Sequence, residues 1–149
     1  MFTATRALAE LARKLRALPR DERSAMLLAA SMLPTVRLVQ SALPFKRWRP
    51  LLTRLDPPRQ APSSTPQLLA QAVDRARRGV PGVYTCLPVA YTGHLLLHHY
   101  GHPSTVQVGV ARDEVGKVEA HAWVECEGRV LIGELPDLGR FVPFPVLRV

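Results

Sequence analysis

Thr85-Cys86-Leu87-Pro88 and Ala120-His121-Ala122-Trp123-Val124-Glu125 are the two stretches whose reading decides the fold. Proline is tolerated in a helix only within its first turn, so Pro88 places Cys86 at or just before the start of a helix. That helix runs to about Tyr100, where Gly101-His102-Pro103 ends it, and its apolar positions include Leu87, Ala90, Leu95 and Leu97. Beyond it, Thr105 to Ala111 alternates Val106, Val108 and Val110 with smaller or polar residues, as a half-buried strand does. Asp113-Glu114-Val115-Gly116 is a hairpin turn, Val118 to Glu125 a second strand, Glu127-Gly128 a second turn, and Arg129 to Ile132 a third strand. Phe141 to Leu147 adds a short edge strand, because Pro143 and Pro145 cannot donate to a central ladder. Helices first and a small antiparallel sheet after them predict an α+β fold.

Upstream, Thr5 to Leu18 carries Leu8, Leu11, Leu15 and Leu18 at helical spacing, and Pro19 ends the run. Asp21 is placed to cap a second helix whose apolar body is Met26-Leu27-Leu28-Ala29-Ala30, with Pro34 expected to kink or break it. Pro44 to Pro50 opens a third short helix reaching about Leu55. Asp56 to Ser64 is rich in proline and serine and reads as a linker. Thr65-Pro66 then supplies an N-cap and a proline at the first helical position. Leu69, Ala72, Val73 and Ala76 make one stripe on that helix, and Gly79 closes it. These signals divide the chain into a basic helical region with its linker, residues 1–64, and a core, residues 65–149.

The 149 residues carry a formal net charge of +8. Residues 1–60 hold twelve Lys/Arg and four Asp/Glu, whereas residues 61–149 hold eight of each, so the basic character belongs to the N-terminal part alone. Its helices read as packing elements with solvated basic faces, or as a surface that docks a partner, nucleic acid or a membrane. The longest apolar run, Ser24 to Val36, is interrupted by Pro34 and is too short to span a membrane. Two cysteines 40 residues apart form no disulfide framework. The N-terminus lacks the apolar stretch of a signal peptide, although it is Arg-rich and amphipathic in the manner of a transit peptide. A reduced, cytoplasmic protein is expected.

Cys86 and His121 are 35 residues apart, room for one helix and one strand that fold back on themselves. Only a thiolate attacks, and a helix N-terminus lowers a thiol's pKa while its free N–H groups can bind an oxyanion. The same position equally suits a small buried apolar residue. His121 shares its strand face with Trp123 and Glu125, whereas Cys126 points to the opposite face and reads as core. A base needs an acceptor to orient it, and Glu134 and Asp137 lie beyond the next turn. His94 and His98, four apart on one helix, have a spacing that can bind zinc. No glutamate lies inside the pair, and they read instead as exposed polar residues.

Cys-Leu-Pro at a helix start, followed by a strand, His-Ala-Trp-Val-Glu and Gly-Arg-Val-Leu, resembles the transglutaminase-like cysteine peptidases. It resembles more closely the leader peptidases that mature ribosomally made lasso peptides. The resemblance covers Thr65 to the C-terminus, and Leu43-Pro44-Phe45-Lys46-Arg47 is similar to the helical N-terminal part of that family. It implies a transglutaminase-like, papain-like core with a nucleophilic Cys86 and a general base His121, and neither cofactor nor metal. The family's third residue is an Asp after the next strand. Glu134 stands there in this chain, one residue further from His121 than the family's spacing, with Asp137 in reserve. The resemblance also implies the split form, without a fused recognition domain. Its partners would be a lasso-peptide precursor, a separate leader-recognition protein and the lasso cyclase, with no nucleic acid. The alternatives are another amide hydrolase or transamidase of the same superfamily, or a non-catalytic binding module built on the basic helices.

Overall fold

The structure, a computed structural model, describes residues 2–53 and 63–144. Five helices precede a small sheet: α1 (Phe2–Ala17), α2 (Arg20–Ala42), α3 (Phe45–Thr53), α4 (Pro66–Gly79) and α5 (Cys86–His99). The strands are β1 (Thr105–Arg112), β2 (Val118–Cys126), β3 (Arg129–Ile132) and β4 (Val142–Pro143), all antiparallel in the order β3-β2-β1-β4. This is the α+β arrangement expected from the sequence. Most of the expected linker and the end of the expected edge strand lie outside the described residues.

α5 is central. It packs on β1, β2 and β3 on one side and on α2, α3 and α4 on the other. Pro88 to His94, Leu96 and Leu97 are all buried. The one-sided apolar face expected for this helix is therefore replaced by burial nearly all round, as a helix enclosed in a core requires. The end of the Ile132 side chain occupies the space a Cβ at Gly93 would take, so β3 packs directly on α5 here.

α4 begins as its sequence predicts. The Thr65 hydroxyl accepts a hydrogen bond from Leu68 N–H at 3.2 Å, Pro66 follows, and Leu69, Ala72, Val73 and Ala76 are the buried stripe. Its chain entry is tied to α5 by His102, whose Nε2–H donates to the carbonyls of Ser63 (3.2 Å) and Ser64 (2.9 Å).

α2 departs from expectation twice. It runs unbroken through Pro34, and Asp21 lies in its first turn, where it makes no side-chain cap bond. Pro34 is on the exposed side, while the buried stripe Ala25, Ala29, Leu33 and Val36 continues past it and offsets the missing backbone bond. Being continuous for 23 residues, α2 is long and apolar enough to cross a membrane by length and composition, contrary to the reading of its apolar run. Its stripe nevertheless lies in the same core as α4, α5 and the inner face of the sheet. α3 joins that core through Trp48, which meets Tyr91 of α5 edge-on at 5.1 Å. α1 leaves Leu8 and Leu11 exposed, and its last turns form with α2 and α4 an apolar groove of about 570 Å³.

The sheet has two different faces. Val106, Ala122, Val124 and Cys126 turn toward α5, whereas Ala111, Trp123 and Phe141 form a separate small cluster. Glu127 and Gly128 both have positive φ, 53° and 75°, in the tight turn joining β2 to β3. A bulge between Val124 and Glu125 shifts the pairing, and β3 stops with Ile132 opposite Val124.

His94 is 5% exposed rather than the surface residue its spacing suggested. Its Nδ1 meets Ser104 Oγ at 2.8 Å and its Nε2 is buried with no partner. Burial, with a smaller contribution from His98, pushes its pKa down to about 4. An unfolded chain therefore binds a proton here that the folded chain refuses. Stability falls as pH drops from about 6.5 toward 4, by an amount on the order of 3 kcal/mol. Urea unfolding across that range should show the slope, and His94→Gln should flatten it. Leu33, fully buried in α2, tests whether the helical region and the sheet unfold together. Leu33→Ala should cost about 2–5 kcal/mol in a single transition seen by both helix and sheet probes.

Candidate active site

Thr85, extended at φ −76° and ψ 175°, is the N-cap of α5 and makes no side-chain cap bond. Cys86 is the first helical residue, as Pro88 requires. Among the described residues the N–H groups of Cys86 and Leu87 have no partner, and Pro88 has no N–H to offer. A half-buried thiol thus sits beside two free donors at the positive end of a 14-residue helix.

His121 lies in β2 opposite Gly109 of β1. It is half-buried between aromatic rings: Trp123 is stacked at 6.2 Å and 17°, and Phe141 is tilted at 5.5 Å. Trp123 is in turn fixed by its indole N–H, which donates to Glu125 Oε1 at 3.0 Å. The expected sharing of one face by His121, Trp123 and Glu125 is what the strand shows. His121 Nε2 lies 2.6 Å from the carbonyl oxygen of Gly133. A carbonyl only accepts, so Nε2 carries the proton and the lone pair of the neutral ring is on Nδ1.

Cys86 and His121 line one cavity of about 410 Å³. Ala70, Val73, Val89, Leu131, Ile132 and Leu135 give it an apolar wall, and Asp74, Arg77, Tyr84, Thr85 and Glu134 supply its polar groups. A smaller recess of about 290 Å³ also has Thr85 in its lining, with Arg37, Gln40 and Ser41 of α2 and Val83, Leu87 and Pro88. The contributions of α2 and α4 were not singled out from the sequence. A helix reading of those segments registers their buried stripes, not which polar residues border a cavity formed by distant elements.

Glu134 lines the main cavity, but its carboxylate is exposed and makes no hydrogen bond or ion pair among the described residues. Asp137 is held by Arg140, whose Nε–H donates to Asp137 Oδ2 at 2.6 Å. That bond holds the Asp137 carboxyl below its usual range, and the charge of His121 adds a smaller pull in the same direction. Arg140 also binds Glu119 and the Arg112 carbonyl, and it stacks on Phe141. Cys126 is buried on the α5 side of the sheet, its thiol directed at the Pro103 carbonyl at 3.4 Å. Burial and Glu127 raise its pKa. His94 and His98 are not among this cavity's lining residues, and among the described residues no group of three or more His, Cys, Asp or Glu is gathered as for a metal ion.

A family model described as the transglutaminase-like superfamily matches residues 29–146, and the chain belongs to that superfamily. The match begins within α2 and runs through β4, so it takes in helices on both sides of residue 64. Membership points to a cysteine hydrolase or transferase, of peptidase or transamidase type. Neither a search of curated proteins nor one of solved structures returns a match.

The two thiols differ enough in setting to be told apart chemically. Brief iodoacetamide treatment at pH 7 should label Cys86 well ahead of Cys126. Peptide mass mapping checks this, and preferential labelling of Cys126 would contradict the assigned burial.

Proposed function

We propose that this chain is a cytoplasmic cysteine peptidase that removes the leader from a ribosomally made lasso-peptide precursor. The observation that carries the reading is the meeting of Cys86, at the start of α5, with His121 in one cavity. The Cys-Leu-Pro and His-Ala-Trp-Val-Glu motifs, which resemble those of the leader peptidases, supply the finer substrate.

In this mechanism His121 takes the Cys86 proton and the thiolate attacks the scissile carbonyl. The free N–H groups at the start of α5 receive the oxyanion. His121 passes its proton to the leaving amine, giving a thioester and the first product. Water then attacks the thioester, His121 takes its proton, and release of the acid restores the thiol. The apolar wall of the cavity suits an uncharged substrate side chain, and the recess at Arg37 and Gln40 shares Thr85 with it. The described residues ahead of α4 are helices without a strand, and α2 and α3 are committed to the core, which supports reliance on a separate leader-recognition protein. The lasso cyclase would receive the freed core peptide.

A precursor peptide incubated with the protein and followed by mass spectrometry tests this. Cleavage should be slow alone and faster with the recognition protein. Cys86→Ala should abolish it while leaving the fold intact, and Cys126→Ala should retain most of it. Cleavage by Cys86→Ala would sink the mechanism, and equal rates with and without the recognition protein would mean a self-sufficient peptidase. An amide product formed with an added primary amine, at the expense of hydrolysis, would favour the transamidase alternative.

A further inference from the structure

Building on the cysteine peptidase reading above, we propose that the backbone carbonyl of Gly133 is the positioning group that orients His121, in the place a side-chain carboxylate would take. The carbonyl oxygen is 2.6 Å from Nε2, a short hydrogen bond with unambiguous polarity. It holds the ring in the tautomer whose Nδ1 lone pair is free to take a proton from Cys86.

Gly133 is built for this. Its φ is +81°, and a Cβ there would lie 2.6 Å from the Ala122 carbonyl oxygen and 3.0 Å from Trp123 Cα. Only glycine lets the chain leave β3, turn onto the backbone of β2 and aim its carbonyl at the imidazole. The other acceptors nearby are otherwise disposed. Glu134 is exposed and unbonded among the described residues, and Asp137 is taken by Arg140. Trp123 and Phe141 flank the ring and keep it in line with the carbonyl.

Changing a carbonyl requires changing the backbone. Cys126 offers a ligation junction, so the full chain can be assembled from residues 1–125 and a synthetic 126–149 segment. In that segment the α-hydroxy analogue of Glu134 makes the Gly133–Glu134 link an ester. Every side chain is kept, the Gly133 carbonyl becomes a poorer acceptor, and the lost Glu134 N–H has no partner among the described residues. In the unmodified protein, ¹⁵N NMR of the histidines should show His121 as the Nε2–H tautomer. In the ester chain kcat on the precursor should fall about fivefold or more with KM unchanged, iodoacetamide labelling of Cys86 should slow, and the loss should exceed that of Glu134→Gln. An Nδ1–H tautomer in the unmodified protein, or a Glu134→Gln loss larger than the ester's, would overturn the proposal. If the ester chain does not fold, the tautomer decides. A wild-type protein that leaves the precursor intact would count against leader peptidase activity. The tautomer and the Cys86 labelling, which need no substrate, would still decide the role of Gly133.

Discussion

Enclosure of α5 between the sheet and the α2–α3–α4 layer dictates where its first turn emerges. A helix buried on nearly every side has water within reach only near its ends. At its N-terminus the orphan N–H groups must meet solvent, a cap or a ligand. Thr85 declines the capping role, and Pro88 removes one donor, leaving Cys86 and Leu87 N–H unpaired at the edge of a cavity. The setting of Cys86 is thus a by-product of core packing: what buries Tyr91, Leu96 and Leu97 also fixes the thiol in place. The N-terminal helices take part in this directly, since the α2 stripe and Trp48 form the side of the core opposite the sheet.

The sheet divides its labour by strand alternation. Ala122, Val124 and Cys126 are committed to α5, so the intervening residues of β2 are free for the site. His121 reaches the cavity because β3 is short: it pairs no further than Val124 and leaves the other half of β2 without a strand on that side. The chain leaving β3 fills the gap through Gly133, Glu134 and Leu135, all of which line the cavity with His121. One more pair of ladder residues on β3 would place a strand where the cavity is.

Much of this was legible in the residues. Pro88 alone locates Cys86 at a helix start, Thr65-Pro66 marks the start of α4, and the two-residue period separates Cys126 from His121. What was not legible depends on tertiary context. Pro34 was expected to disturb α2, but local propensity yields where Leu33 and Val36 are buried against another layer. His94 looked like a polar surface residue because its helix was assigned a single apolar face, and only the second packing layer buries it. Arg37 and Gln40 line the recess at Thr85 because α2 folds against the loop before α5, a contact across more than 40 residues of chain.

The acceptor that meets His121 Nε2 is a backbone carbonyl, and a side-chain pattern does not reveal one. The spacing to Glu134 was one residue too long, and the structure places the group that meets the ring one residue earlier, on a position with no side chain at all. The bulge at Val124/Glu125 resets the register by which residues after β3 are matched to β2, so counting along the strand could not locate it. A carbonyl and a carboxylate serve different parts of the same task. Either can hold Nε2–H, but the carbonyl is a neutral dipole and stabilises a protonated imidazole less than a full negative charge does. In exchange it does not titrate, and it is not shared with an arginine as the Asp137 carboxylate is with Arg140. On the proposed role of Gly133, the sequence requirement falls on a glycine at 133, with the aromatic rings at 123 and 141 beside the imidazole.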